Sequence, residues 1–162
     1  MPHDHDDSNF RMVTDALLDH IACPKENIHA VPVNLGQPAD AASLYETELQ
    51  KFFAGQAFPV WDLVLLGLGD DAHTASLFPH TSAVDESVRW FVDNWIEKFN
   101  AYRYTLTAPA INSAREIWFL VSGRAKRAAM THVLAGDDCP QQYPSQLIKP
   151  TRWFVTSDAM ES

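Results

Sequence analysis

Cysteine and long apolar runs are both scarce in this chain. Cys23 and Cys139 are its two cysteines. They are far apart and show no metal-ligand spacing, which excludes a disulfide framework or a cysteine-based metal site. No apolar run is long enough to cross a bilayer, and the first ten residues, MPHDHDDSNF, are acidic and polar where a signal peptide is basic and then apolar. We therefore expect a cytoplasmic protein that is neither exported nor held in a membrane.

Positive charge is also in short supply. Twelve Lys and Arg face twenty-one Asp and Glu, so the formal net charge is −9. A surface of this sign repels phosphate backbones and anionic lipids at long range, which argues against nucleic acid and membranes as partners. A small phosphorylated ligand is still compatible, because a few cationic side chains and backbone N–H groups that converge locally suffice to bind it.

The hydrophobic content, 46% of 162 residues, is enough for one domain over 1–162 with a core of its own. Helical periodicity predicts amphipathic helices after a cap at Ser8, after Pro38, and over 123–134. Apolar runs predict strands at 28–31, 62–66, 88–95, 103–107, 116–121, 147–148 and 153–155. The run at 62–66 is apolar on both faces, which is typical of the middle of a parallel sheet covered by helices. We predict one α/β unit with a mostly parallel sheet.

The stretch after that run, GLGDDAHTASLFP over 67–79, crowds reactive groups into one turn. Ligands of open α/β sheets bind beyond the carboxyl ends of the strands. There Gly67 and Gly69 permit positive φ and close approach, while a helix predicted to begin at Ala75 would offer N–H groups to an anion. His73 can exchange a proton near neutral pH, and Asp71 can orient its ring. Spacing alone leaves two interpretations open: a general-base site, or a tight connection with a solvated histidine.

Four blocks in order resemble the 6-phosphogluconolactonase family. The turn is similar to the family's G-x-G-x-D-G-H-T-A-S-L-F-P signature, and the other blocks are PHDHDDSNFRMV, RYTLTAPAINSAR and IWFLVSGRAKRAAMTHVLAG. The resemblance implies a Rossmann-like fold shared with sugar-phosphate isomerases. It implies a hydrolase of the oxidative pentose phosphate pathway that opens 6-phospho-D-glucono-1,5-lactone to 6-phosphogluconate without metal or organic cofactor.

The same resemblance implies roles for individual residues. His73 matches the family's catalytic histidine and Asp71 its acid position. The substrate-binding set that follows from the matching blocks is Gly67, Gly69, Thr74, Arg103, Lys126 and Asn9. Arg103 and Lys126 are the candidates for the substrate's phosphate, although each is equally compatible with a solvated surface charge. Asn9 and His5 either line the pocket or cap the first helix, and the structural role is favoured.

The chain departs from the family pattern in two ways that matter for function. Ala72 stands where the family has glycine, which costs about 1 kcal/mol if the position needs positive φ. The family's initial strand–helix–strand and its G-G-S-T-P phosphate loop have no match. We therefore expect that the gene extends upstream, that the isolated chain is weakly active or inactive, and that it self-associates through exposed sheet edges.

Three other functions were weighed. A glucosamine-6-phosphate deaminase-like isomerase carries a glutamate after its histidine, whereas TASLFP has no acid and places Phe78 there. A non-enzymatic remnant that keeps the fold stays open. A metal site formed by His3, Asp4, His5, Asp6 and Asp7 is disfavoured, because an acidic terminus of this kind is usually solvated, and we expect no metal.

Overall fold

The computed structural model describes residues 2–6 and 8–160. Within them the α-helices are α1 (Asn9–Ala16), α2 (Pro38–Phe52), α3 (Ala108–Asn112), α4 (Arg127–Ala135) and α5 (Ser157–Met160). The strands are β1 (Leu63–Leu66), β2 (Phe91–Ile96), β3 (Ala101–Leu106), β4 (Glu116–Val121) and β5 (Arg152–Val155). Short 3₁₀ turns connect several of these elements, and the predicted bounds of β4 are those observed.

Local sequence signals account for the helix starts. Ser8 caps α1, because its hydroxyl oxygen accepts a hydrogen bond from Arg11 N at 3.3 Å. Pro38 begins α2. Proline has no backbone N–H, and at the first helical position this costs nothing because an N–H there would have no acceptor within the helix. The first helix is shorter than its apolar periodicity suggested, since it ends at Ala16 and a 3₁₀ turn follows over Leu18–His20.

Two predicted strands are absent from the described structure. Residues 28–31 run without a strand partner, and side chains hydrogen bond to their carbonyl groups instead: the Tyr45 hydroxyl donates to His29 O at 3.0 Å, and His3 Nε2 lies 2.7 Å from Val31 O. Residues 147–148 do not form a strand either, because the 3₁₀ helix Pro144–Leu147 takes up that segment. Proline fixes the φ angle needed to begin such a turn.

The main sheet is parallel, with strand order β1-β4-β5. This confirms the α/β class with a mostly parallel sheet, but the prediction that β1 lies mid-sheet under helices on both sides is wrong. β1 is an edge strand of the described sheet. One sheet face is buried in a core that includes Leu66, Ile117 and Phe119 together with residues of α3 and α4. The opposite face leaves Leu63, Leu65, Leu120 and Phe154 between 40% and 55% exposed.

A separate antiparallel hairpin is formed by β2 and β3, paired from Phe91↔Leu106 to Ile96↔Ala101. It packs on α2 through a second apolar cluster that includes Trp90, Phe91 and Leu49. The hairpin tip, residues 97–100, reverses the chain with Asn100 in the left-handed conformation at φ 46°. This tip lies against the segment that follows β1, so the hairpin supplies one wall of the site described next.

Candidate active site

A closed turn at the carboxyl end of β1, residues 67–74, carries His73 and is called the His73 turn below. Gly69 N donates to His73 O at 2.8 Å and Ala72 N donates to Gly69 O at 3.1 Å. The Thr74 hydroxyl donates to Gly67 O at 2.9 Å. Ser145, from the 3₁₀ helix before β5, donates to Ala72 O through both its backbone N (3.0 Å) and its hydroxyl (2.7 Å). These bonds hold the turn in one shape.

The backbone strain of the turn lies at alanines. Gly67 and Gly69 permit positive φ, but both lie outside the left-handed region. Ala72 at φ 60° and Ala75 at φ 49° adopt it instead. The position where the family has glycine therefore does need positive φ, and Ala72 bears a cost of about 1 kcal/mol. The helix expected at Ala75 is also absent: Leu77 N donates to Thr74 O in a turn, so this segment has no helix N-terminus to bind an anion.

Gly69 is required for space. A Cβ placed there would overlap the His73 ring and lie 2.6 Å from Asp71 Oδ1. The His73 and Asp71 side chains fill the volume that the side chain of any other residue at position 69 would need. The glycine at this position thus lets the His73–Asp71 pair fold back over its own turn.

His73 and Asp71 form a hydrogen-bonded pair. Their Nδ1 and Oδ1 atoms are 2.5 Å apart, and His73 N also donates to Asp71 Oδ1 at 3.2 Å. Burial opposes ionisation of Asp71, but hydrogen bonds from the His73 side chain and backbone, together with the charges of His73 and Lys98, outweigh it and hold the pKa of Asp71 below its usual value. An ionised carboxylate only accepts, so the shared proton belongs to Nδ1 and leaves Nε2 as the basic nitrogen.

Two phenylalanines that the sequence did not single out for the site fix the ring further. The Phe78 ring stacks on His73, with centroids 4.0 Å apart and planes at 21°. Phe99, from the hairpin tip, meets Phe78 edge to face at 5.7 Å. One face of the imidazole is thereby covered, and the ring has little freedom to rotate away from Asp71.

A cavity of about 660 Å³ opens beside His73. Among the described residues that line it there is no carboxylate, although the chain as a whole carries a formal charge of −9. Its basic groups are His73 and Lys126, and Lys126 forms no ion pair within residues 2–6 and 8–160. An anionic ligand of modest size would meet a locally favourable potential there.

The predicted binding residues divide into three groups. Gly67, Gly69, Asn9 and Lys126 line the His73 cavity. Arg103 lines an adjoining cavity of about 250 Å³ that shares Asn9 with the first, and its guanidinium lies 5.4 Å from the Phe99 ring centroid. Thr74 is 1% exposed, with its hydroxyl hydrogen bonded inside the turn, so the structure places it beneath the cavity wall. Thr74 lines neither cavity, and its contact with substrate stays a prediction.

The N-terminal acidic segment shows other contacts. In the described part of the chain, no group of three or more His, Cys, Asp and Glu side chains is arranged to hold a metal ion. Asp6 pairs with Arg11 at 2.5 Å, and the His3 ring packs 4.5 Å from that of Phe10. Asp7 lies outside the described residues. None of the helices in residues 2–6 and 8–160 is long and apolar enough to cross a membrane.

Fold and site together define an α/β protein with a hydrogen-bonded histidine–aspartate pair at a strand end, beside a cavity whose described lining contains no carboxylate. The family described as glucosamine-6-phosphate isomerases/6-phosphogluconolactonase matches residues 1–157. A 6-phosphogluconolactonase of Synechocystis sp. is 44% identical over 164 residues, covering 98% of this chain and 68% of that protein. One of Nostoc sp. is 47% identical over 149 residues, covering 91% and 61%.

Solved structures agree with the sequence relatives. The 6-phosphogluconolactonase from Trypanosoma cruzi superposes with a TM-score of 0.81 at 28% identity, covering 96% of this chain and 65% of that one. The chain therefore belongs to the glucosamine-6-phosphate isomerase/6-phosphogluconolactonase family, and its similarity is to the 6-phosphogluconolactonases within it. It spans about two thirds of the length of these relatives.

Proposed function

We propose that the chain carries the site of a 6-phosphogluconolactonase, which opens 6-phospho-D-glucono-1,5-lactone to 6-phosphogluconate. The observation that carries this proposal is the Asp71–His73 pair beside a cavity that has Lys126 and, among its described lining, no acid. A lactone phosphate is neutral at its reacting carbonyl and anionic at its far end. A base and a separate cation in one cavity suit both ends.

In the proposed mechanism His73 Nε2 takes a proton from water as the water oxygen attacks the lactone carbonyl. The bond between the carbonyl carbon and the ring oxygen then breaks, and His73 returns the proton to that oxygen, which becomes a hydroxyl. The new carboxylic acid ionises in solution. Asp71 stabilises the imidazolium between the two steps and keeps its proton on Nδ1. No metal or organic cofactor takes part in this sequence.

The phosphate is assigned to Lys126, with Arg103 as a second cation that reaches it through the adjoining cavity. Asn9 lines both cavities and is placed to bind the sugar hydroxyl groups between them. Gly67 and Gly69 form the floor, and Thr74 is assigned a supporting role under it. An isomerase mechanism is disfavoured, because it needs an additional acid and the described lining of the His73 cavity offers none.

The test is lactone hydrolysis by the purified chain, followed by proton release and compared with the spontaneous rate. Hydrolysis above that rate is expected, and His73→Ala should return it to the spontaneous value with the circular dichroism spectrum unchanged. The matched control is His20→Ala, since His20 lies in a 3₁₀ turn and lines neither cavity. Binding of 6-phosphogluconate without turnover would favour the non-enzymatic alternative. The absence of both binding and turnover would overturn the proposal.

We further propose that the chain self-associates through its uncovered sheet face. Leu65 and Leu120 on that face are 55% and 49% exposed, and the edge of β1 has no strand partner in the described structure. Exposed apolar patches and free strand edges both favour association. Sedimentation at increasing concentration should show a monomer–dimer equilibrium that Leu65→Lys shifts to monomer. A reducing compartment such as the cytoplasm suits Cys23 and Cys139, which are both free thiols.

A further inference from the structure

The hairpin tip, residues 97–100, contacts Asp71 directly and His73 through Phe78, and none of its residues lines the His73 cavity. Lys98 Nζ lies 3.5 Å from Asp71 Oδ2 and 3.9 Å from Asp70 Oδ1. Phe99 packs against Phe78, which stacks on the His73 ring. The tip therefore reaches Asp71 by charge and His73 through one intervening aromatic ring.

The two oxygens of Asp71 have different partners. Oδ1 accepts from His73, whereas Oδ2 faces Lys98. Lys98 thus does not compete with His73 for the same oxygen. With the His73 imidazole on Oδ1 and the Lys98 ammonium near Oδ2, the carboxylate plane is held in the orientation that aims Oδ1 at Nδ1. Without Lys98, rotation about the Asp71 side chain would be opposed by His73 alone.

Other charged or titratable groups lie near the pair, but no ion pair between them and Asp71 is present among the described residues. A third cavity, which Asp71 lines, also has Lys98, His80 and Glu97 in its wall. The His73 cavity has Lys126 and Tyr104 in its wall. Among the described residues, Lys98 and His73 are the basic side chains that lie within 4 Å of the Asp71 carboxylate. Asp70 shares the Lys98 ammonium at the longer distance, which moderates the effect of Lys98 without replacing it.

We propose that Lys98 is a positioning residue for the catalytic pair, acting on His73 through Asp71 and not by contact with the substrate. The proposal rests on the proposed function in the sense that His73 is the base. Lys98 fixes the carboxylate, the carboxylate fixes the imidazole, and Phe99 holds the stacked Phe78 in place from the same tip. The lysine does not line the His73 cavity, so its removal should alter turnover more than binding.

The experiment compares Lys98→Met, Lys98→Arg and the control Lys51→Met, in which the lysine removed lies in the last turn of α2. Lys98→Met should lower kcat about fivefold with KM nearly unchanged. A loss of this size corresponds to the upper end of the strength of an exposed ion pair. Lys98→Arg should restore most of the loss. Because Lys98 is 57% exposed, about 0.5 M NaCl should reduce the difference between wild type and Lys98→Met.

A second readout does not depend on activity. The ¹³C NMR titration of the Asp71 carboxyl should show a higher pKa in Lys98→Met than in the wild type, since the Lys98 charge contributes to lowering it. An unchanged Asp71 titration, or a rise in KM with kcat unchanged, would overturn the proposal, the latter by making Lys98 a substrate contact. If the wild type hydrolyses no lactone but the Asp71 titration still shifts in Lys98→Met, the proposed function is refuted, whereas the effect of Lys98 on Asp71 is supported. Lys98→Gln replaces Lys98→Met if the latter folds poorly.

Discussion

Replacing Gly69 with alanine is the sharpest test of how the His73 turn works. The added Cβ would overlap His73 Nδ1 and Cε1 and approach Asp71 Oδ1 to 2.6 Å. Gly69 is not in the left-handed region, so alanine meets no backbone strain there. The whole effect of the substitution falls on the two catalytic side chains. The imidazole must move by roughly 1 Å or more to reach ordinary contact distance, which breaks its 2.5 Å hydrogen bond to Asp71.

A displacement of that size costs about 10²-fold in rate for an oriented catalytic group, and complete loss of a general base costs about 10²- to 10⁴-fold. We therefore expect Gly69→Ala to lower kcat/KM by about 10²- to 10³-fold. Stability should fall by only about 1 kcal/mol, because the His73 side chain is 25% exposed and can swing towards solvent. Lactone hydrolysis measures the first quantity and urea unfolding the second.

Gly67→Ala is the matched control. It lies two residues away in the same turn, and a Cβ there meets nothing within 4 Å. Its kcat should stay within about threefold of wild type, with any effect appearing in KM because the new methyl faces the cavity. A Gly69→Ala enzyme with wild-type kcat/KM would refute the reasoning, since it would mean that the observed His73–Asp71 geometry is not needed for turnover.

Three further predictions concern the turn and its surroundings. Asp71→Asn should lower kcat by about 10²- to 10⁴-fold with folding intact, because the ring loses the acceptor that fixes its tautomer; steady-state kinetics and circular dichroism check this. Ala72→Gly should change the unfolding free energy by less than about 1 kcal/mol, since relief at φ 60° offsets the lost buried methyl, whereas Ala72→Val should cost about 2 kcal/mol or more in a urea titration. The pKa of Glu86 is about 2, because hydrogen bonds from Val88 N and Arg89 outweigh the burial that opposes its ionisation. Its stabilisation is present above the usual carboxyl pKa and lost as pH falls towards about 2, so Glu86→Gln should cost about 1 to 2 kcal/mol at neutral pH and almost nothing near pH 2 in thermal unfolding.

The parts of this molecule that local sequence determines were predictable. β4 is a continuous apolar run, and its bounds follow from the sequence. Asp71 and His73 are two residues apart in a tight turn, so the prediction that the acid orients the ring needed no knowledge of distant contacts. The sequence raised the question of positive φ at position 72, where alanine replaces a family glycine, but left it open, and the backbone angle of 60° answers it.

What depends on long-range pairing was not predictable. Lys98 reaches Asp71 only because β2 and β3 pair in one register, and nothing in the residues 97–100 indicates what the hairpin tip will face. The helix predicted to begin at Ala75 does not form. Leu77 N donates to Thr74 O within a turn, and Ser76 N donates to the Thr105 hydroxyl oxygen of the hairpin. The sequence did not predict the exposed face of β1, because a run that is apolar on both faces indicates burial but does not identify the element that covers it.

The two hydrogen bonds from Ser145 to the Ala72 carbonyl have a consequence for the order in which the molecule matures. They join positions 73 residues apart, and β1 likewise waits for β4 to pair with it. During synthesis the signature segment leaves the ribosome long before the residue that anchors it. A nascent chain thus displays the whole motif before the Ala72 carbonyl has its partner. The shape of the turn is completed by folding of the segment that contains Ser145, and not by translation of the motif.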